Sequence, residues 1–274
     1  MTLSLNTNMA ASKAAIHLAN NTENLNKSLD RLSSGKRITS AADDAGGLAV
    51  AMKMESSINT LKVTSNNTGN GISFLQAREG VLDQMGQVVS RISELVAQTD
   101  NLLLTDNTEI DATLGAEYVE LSAQLTSLLA ETFNGVEFFG ATGTSDHDIY
   151  SRGGATVALD VMDPGVNAGA IDVVVGTPTA AELRALTADQ ATAAIDAVAG
   201  FRAANAGELS TLQFTQETLE NEVIGLTEAL GRIVDVDIAA ESANLAKQQI
   251  LVQASASMVA QANSANNAIL QLLQ

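Results

Sequence analysis

Apolar side chains recur at heptad spacing near both ends of the chain. Within residues 9–33 the stripe consists of Leu18, Leu25, Leu29 and Leu32. Near the other end, positions seven residues apart hold Ile238, Leu245, Val252 and Val259, and the same face continues through Ile269 and Leu270. Such a repeat is typical of helices that pack along one another. The pattern predicts a helix over 9–33 that stops at Gly35, and a final helix over 235–273.

Further helices are predicted between these ends. A long helical pattern begins at Leu48 and has one predicted break near 66–71, where asparagine and glycine cluster. Beyond the break, helical spacing separates Ile72, Leu75, Leu82, Met85, Val89, Ile92 and Val96. A polar, turn-like stretch over 99–112 precedes a third helix across about 114–132. Another long helix is expected over 188–230, with a short one near Ala180.

The middle of the chain differs in pattern from both ends. Asn134 and Gly135 form a strong turn signal between Phe133 and Val136. Residues 140–180 contain many glycines, both prolines and short β-branched runs, of which 171–175 is one. This composition predicts one or two hairpins. The fold class expected is all-α: an elongated helical bundle with terminal coiled-coil arms and a small β-hairpin insert.

Composition excludes several kinds of site. The chain has 274 residues and lacks cysteine, so disulfides and thiolate metal sites are excluded. The two histidines, His17 and His147, are too few for a histidine-built metal or acid–base site. No run of eighteen apolar residues occurs, so no membrane-spanning segment is expected. The first eight residues lack the basic and apolar regions of a signal peptide.

The net charge of −18 is unevenly distributed. Residues 101–199 hold two basic and fifteen acidic side chains, whereas the ends are nearly uncharged. Lys13 is the only Lys, Arg, Asp or Glu in 1–22, and Lys247 is the only one in 242–274. The acidic balance disfavours nucleic-acid binding. Two explanations fit the uncharged ends: packing within one bundle, or burial among copies of the same chain, where a charge would be costly.

Candidate chemistry is sparse. Asp43 and Asp44 are adjacent carboxylates near a glycine pair, and a helix N-terminus explains them better than a metal site. The glycines after Arg152 lack the spacing of a phosphate-binding loop. We therefore predict no catalytic residues, no cofactor and no metal, and we do not expect an enzyme.

Two separated segments carry a family resemblance. The stretch LSSGKRITSAADDAGGLA at 32–49 resembles the N-terminal signature of the bacterial flagellins. RIVDVDIAAE at 232–241, LAKQQIL at 245–251 and SMVAQAN at 257–263 resemble the C-terminal signature. FNGV at 133–136 is similar to the family's turn after the third helix. Together the similar regions cover about 1–140 and 188–274.

The resemblance implies an architecture and a function. The terminal coiled coil, called D0, would be formed by residues 1–42 with 235–274. The helical domain D1 would be formed by residues 43–140 with 188–234, and a small variable insert by residues 141–187. The chain would be a structural subunit of the extracellular flagellar filament, self-assembling for motility after type III export. The two terminal stripes would form the assembly interface. Implied partners are copies of the chain, sister flagellins, an export chaperone, and the filament cap and junction proteins; neither a nucleic acid nor a membrane is expected as a partner.

Two alternatives remain open from sequence: a hook–filament junction protein, which shares both signatures, and a soluble helical adaptor or signalling rod. The resemblance also implies a recognition face for the innate immune receptor Toll-like receptor 5 (TLR5). The positions similar to that face are Arg91, Glu94, Leu95, Gln98 and Glu117. Ser93 departs from the pattern because the family usually has an arginine there.

Overall fold

The computed structural model describes residues 8–99, 108–140, 147–150, 156–159, 162, 171 and 179–271. The helices are α1 (Met9–Ser34), α2 (Ala45–Thr99), α3 (Thr108–Leu129), α4 (Ala180–Ala185), α5 (Ala188–Val234) and α6 (Ile238–Gln271). Two short antiparallel hairpins pair β1 (Thr132–Phe133) with β2 (Val136–Glu137), and β3 (His147–Tyr150) with β4 (Thr156–Leu159). The predicted fold class, all-α with a small β-hairpin insert, is confirmed.

The chain divides into two compact units. Unit 1 comprises Met1–Asn59 and Ile224–Gln274, and unit 2 comprises Thr60–Val223. In unit 1, α1 runs antiparallel to α6, since Asn8 is bonded to Ala262 and Asn244 is bonded to Ser28.

Local sequence signals end or begin the helices of unit 1. Gly35 has a φ of +69°, the left-handed conformation that terminates α1 as predicted. The Oδ1 of Asp44 accepts a 2.8 Å hydrogen bond from the Gly47 N–H, which caps the first turn of α2. Asp237 caps α6 in the same way, accepting from the N–H groups of Ala239 and Ala240.

The core of unit 2 is built on the apolar stripe predicted for α2. Its fully buried residues on that helix are Leu75, Leu82, Met85, Val89, Ile92 and Leu95. Tyr118 and Leu125 of α3 and Leu212 of α5 belong to the same cluster, each at 0% exposure. Phe138, just after β2, packs on Phe74 with ring centroids 5.0 Å apart. The aromatic side chains around β1 and β2 therefore close one part of the helical core.

The predicted break in α2 is wrong, because the helix continues through 66–71. Thr68 is 1% exposed there, and its hydroxyl donates to the Thr64 carbonyl at 3.0 Å. Packing of this buried face therefore outweighs the low helix propensity of the neighbouring asparagines and glycines. Several predicted boundaries also differ. The largest differences are that α3 begins at Thr108 rather than 114 and that α5 continues to Val234 rather than 230. The final helix, Ile238–Gln271, begins at 238 rather than 235.

The predicted turn at Asn134–Gly135 is confirmed. Both residues have positive φ, 52° and 80°, as a two-residue turn between β1 and β2 requires. The β3–β4 hairpin lies in the segment where hairpins were predicted, with His147 opposite Leu159. Residues 172–175 of the β-branched run lie outside the described residues.

Candidate functional site

The predicted terminal stripes meet in a seam between α1 and α6. Less exposed positions that repeat in steps of three and four are Ala11, Ala14, Leu18, Asn21, Leu25, Ser28 and Leu32 on α1, and Glu241, Leu245, Gln248, Val252, Ser255, Val259 and Ala262 on α6; Arg31 and Asn244 are less exposed as well, beside this repeat. We call these residues the terminal seam. Leu29 and Ile238 lie outside it, at 46% and 66% exposure. The side chains of Ile269 and Leu270 are outside the described set.

Hydrogen bonds across the terminal seam fix how α1 and α6 align. Asn21 Nδ2 donates to the Ser255 hydroxyl at 2.7 Å. Asn8 Nδ2 donates to the Ala262 carbonyl at 3.0 Å. Because these small polar groups alternate with aliphatic positions, they select one alignment of the two helices.

Large apolar side chains on this helix pair are also exposed to solvent. On α1 they are Met9, Ile16 and Leu29, and on α6 they are Ile238, Ile250, Leu251 and Met258. We call these seven residues the exposed apolar set. Ile16 is 59% exposed and Ile250 is 68% exposed. Of these seven residues, only Leu29 and Ile238 belong to the assembly interface predicted from sequence. The seven-residue spacing of Met9 and Ile16, and of Leu251 and Met258, is the signal that could have revealed four others.

Backbone hydrogen bonds join the segment that follows α1 to the segment that precedes α6. Arg37 N–H donates to the Val234 carbonyl at 2.6 Å, and the Val236 N–H donates to the Gly35 carbonyl at 3.0 Å. The Arg37 guanidinium donates to the Ile233 carbonyl at 2.7 Å, satisfying an acceptor near the C-terminus of α5. The loop before α2 and the loop before α6 are therefore held together.

Asp43 organises the loop before α2. Its Oδ2 accepts from the hydroxyl and N–H of Thr39, and from the N–H and hydroxyl of Ser40. The Thr39 hydroxyl, followed by the two backbone N–H groups, holds the pKa of Asp43 below its ordinary value. These contacts, with the cap at Asp44, explain the carboxylate pair structurally. Across the described part of the chain, acidic and histidine side chains do not cluster in a way that could hold a metal ion.

Three of the five predicted recognition residues are joined on unit 2. Arg91 Nε donates to Glu117 Oε1 at 2.7 Å, and its NH1 donates to Glu94 Oε2 at 2.7 Å. The bonds to Glu117 and then Glu94 raise the pKa of Arg91 above its ordinary value. Gln98 is exposed on the same helix, whereas Leu95 is fully buried in the core beneath. Leu95 therefore supports this face but does not present a side chain on it.

The residues that carry the predicted sites form packing surfaces on helices. In the part of the chain that the structure describes, the helices also lack the apolar length needed to cross a membrane.

Both ends of the chain match models of one protein family. Residues 5–144 match the bacterial flagellin N-terminal helical region, and residues 188–273 match the bacterial flagellin C-terminal helical region. A flagellin from Listeria monocytogenes is 30% identical over 287 aligned residues, covering 99% of this chain and 99% of its own. A flagellin from Halalkalibacterium halodurans is 34% identical over 98% of this chain and 99% of its own.

A flagellar filament core protein from Brachyspira hyodysenteriae is 34% identical, covering 98% of this chain and 99% of its own. Among solved structures, a flagellar hook-associated protein from Vibrio parahaemolyticus aligns with a TM-score of 0.58 over 70% of this chain and all of its own. At 14% identity this likeness concerns the fold alone. The family matches at both ends, together with relatives that are 30–34% identical over 98–99% of the chain, show that it belongs to the bacterial flagellins, the structural subunits of the extracellular flagellar filament.

Proposed function

We propose that the α1–α6 pair is the element through which copies of this flagellin assemble, with the exposed apolar set contacting neighbouring subunits. The observation that carries this proposal is the set of seven large apolar side chains exposed to solvent on α1 and α6. Exposed apolar surface on this scale marks a protein–protein interaction site. The segments 1–22 and 242–274, which hold one Lys each and no Arg, Asp or Glu, fit the same role, since an interface core disfavours unpaired charge.

The free energy of assembly would come mainly from burying these side chains. Complete burial of one large aliphatic side chain contributes about 1.5–3 kcal/mol. A contact of this kind between unlike surfaces of two copies does not close on itself, so it continues into a helical polymer. The terminal seam would be completed by the same process, because neighbours would cover residues that a two-helix pair leaves half-buried.

Seeded filament growth tests this proposal with Ile250→Asp. Because Ile250 is 68% exposed, the carboxylate should leave the thermal melt of the monomer unchanged. Growth from preformed seeds, followed by light scattering, should stop, since assembly would bury the charge. The matched control is Ile250→Leu, which keeps the volume and polarity and should grow normally. Normal growth of the Asp variant would show that Ile250 stays in solvent in the filament.

The domain division into 1–42 with 235–274, 43–140 with 188–234, and 141–187 also stays a proposal. It is supported by the helix junctions, since residues 35–44 and 235–237 separate the terminal helices from their neighbours in sequence. The filament cap, junction proteins, export chaperone and sister flagellins are partners that the family implies.

The paired charges around Arg91 favour a second, additional role as the TLR5 recognition face. Arg91, Glu94 and Glu117 are all partly exposed, and their mutual bonds hold them in one arrangement. Rigid exposed charges of this kind suit specific recognition. Ser93, in place of the family's second arginine, would reduce the number of contacts.

Binding of the purified monomer to the TLR5 ectodomain tests the recognition face. Arg91→Ala should weaken binding by about tenfold or more if Arg91 is a central contact. Gln87→Ala, at an exposed position one turn away on α2, serves as the control and should bind like the parent. Equal affinity of both variants and the parent, or absence of binding by the parent, would exclude this role.

A further inference from the structure

A charged side chain is buried in the middle of the α2–α5 contact. The Arg78 side chain is 1% exposed. Its Nε donates to Asn205 Oδ1 at 2.8 Å, its NH2 is paired with Glu208 Oε2, and its guanidinium carbon lies 5.8 Å from the centre of the Phe74 ring. An apolar residue at such a position is often neutral or stabilising compared with a buried ion pair. The ion pair therefore needs an explanation other than stability.

Buried positions, most of them aliphatic, repeat every seven residues on both helices. On α2 the repeat runs through Leu61, Thr68, Leu75, Leu82 and Val89, and on α5 it runs through Val198, Asn205, Leu212 and Leu219; all nine are buried. Sliding α5 by one heptad along α2 would again place aliphatic side chains opposite aliphatic side chains. The repeat alone therefore discriminates poorly between the observed alignment and its shifted alternatives.

The polar residues distinguish the observed alignment from these shifted alignments. After a shift of one heptad, Arg78 would face Val198 and Phe201, or Leu212 and Thr215, in place of Asn205 and Glu208. A buried cation without an acceptor is strongly unfavourable. Asn205 would lose its own bonds as well, since its Nδ2 donates to the Leu75 carbonyl at 3.1 Å and to Glu79 Oε2 at 3.0 Å.

We propose that Arg78, Asn205 and Glu208 form a register key that fixes the axial alignment of α5 against α2. A second ion-pair layer reinforces it at the surface, where Arg202 contacts Glu79 Oε1 at 2.8 Å and Asp83 Oδ1 at 3.1 Å. All three residues of the register key lie within unit 2.

Cross-linking in the full-length monomer tests the register directly, because the chain has no cysteine of its own. Ser65→Cys with Gln216→Cys reports the observed alignment, since Gln216 Nε2 donates to the Ser65 hydroxyl at 3.1 Å. Ser65→Cys with Leu209→Cys, or with Val223→Cys, reports a shift of one heptad in either direction. With the register key intact, only the first pair should cross-link under mild oxidation or with a short thiol cross-linker.

The key is then removed by combining Arg78→Met, Asn205→Leu and Glu208→Leu. The expected result is a folded helical monomer in which a shifted pair cross-links alongside the first. The control is Arg91→Met, which removes an arginine of α2 paired with α3 and should leave only the first pair reactive. A folded key-free monomer that cross-links only through Ser65→Cys and Gln216→Cys would overturn the proposal.

A second variant covers the case in which the key-free monomer does not fold. It moves the key by one heptad through Val198→Asn, Phe201→Glu, Asn205→Val and Glu208→Phe, with the composition unchanged. The expected cross-link then changes from position 216 to position 209. Retention of the original cross-link would overturn the proposal. Failure of both variants to fold would also overturn it, because the network would then be required for stability rather than for register.

Discussion

The terminal α1–α6 pair and the core of unit 2 use the same seven-residue repeat but bury it to different extents. In unit 2, the α2 positions Leu75, Leu82 and Val89 are all 0% exposed. In the pair, Leu25 and Val252 are half-buried, and the buried residue of α1 is a serine, Ser28. A heptad stripe therefore specifies which side chains face a partner helix, but the number of packed elements decides how completely water is excluded.

Two helices alone cover little more than one face of each other. The core of unit 2 gains additional layers from α3, from α4 and from the aromatic residues after β2, so its apolar side chains are enclosed. The α1–α6 pair has no third layer within the described residues of unit 1 that covers the exposed apolar set. We infer that the pair is completed between subunits, whereas unit 2 is complete in each subunit.

The largest expected effect comes from placing the same carboxylate in the two regions. Leu82→Asp should unfold unit 2, because a buried unpaired carboxylate and the lost leucine together cost about 5 kcal/mol, comparable to the stability of a whole domain. Val252→Asp should change monomer melting little, because that side chain is half-buried at a two-helix seam, yet it should stop seeded growth. Circular dichroism melts and light scattering measure the two outcomes.

Equal loss of helicity in Leu82→Asp and Val252→Asp would remove the distinction between the regions. The α1–α6 pair would then be part of the stable monomer core, and assembly would have to use other surfaces. Val252→Leu controls for the change of side chain at the seam position, since it preserves apolarity and should both melt and grow like the parent.

Much of this comparison could be predicted from sequence, because helix stripes and turns are local. The stripe through Leu75 and Leu82, the stop at Gly35 and the turn at Asn134–Gly135 required only spacing and glycine chemistry. The continuity of α2 through 66–71 could not be predicted in this way, because the burial of Thr68 becomes visible only in the folded structure.

The buried network of Arg78 was missed for a related reason. Arginine normally lies at a helix surface, and the apolar stripe predicted for α2 does not include Arg78. It is seven residues before Met85, which is fully buried, so the heptad position itself was a signal. Its acceptors Asn205 and Glu208 are more than 120 residues away in sequence, and only the fold brings them together.

A medium effect is expected where unit 1 is tightly packed, at the start of α2. A Cβ at Gly47 would collide with the Asp44 carboxylate and lie 2.8 Å from Ile38 Cδ1. Gly47→Ala should therefore displace the Asp44 cap and lower the free energy of unfolding by about 1–3 kcal/mol. Gly46→Ala is the matched control, because its Cβ would meet Asp44 Oδ1 at an ordinary 3.5 Å. Urea unfolding measures the free energy of unfolding of both variants. Equal values would show that Asp44 and Ile38 can move to accommodate a Cβ at Gly47 without loss of stability.

The smallest expected effect lies in unit 2, at the asparagine- and glycine-rich turn of α2. A Cβ at Gly69 would meet nothing within 4 Å, and the residue has helical neighbours on both sides. Gly69→Ala should raise the free energy of unfolding by about 0.5–1 kcal/mol, since alanine loses less backbone entropy in a helix interior. Urea unfolding detects a change of this size when parent and variant are measured side by side. A destabilised variant would mean that this turn departs from helical geometry in solution. The apolar stripe of α2 would then be interrupted at 66–71. In that case, continuous burial of a heptad stripe would no longer distinguish unit 2 from the α1–α6 pair.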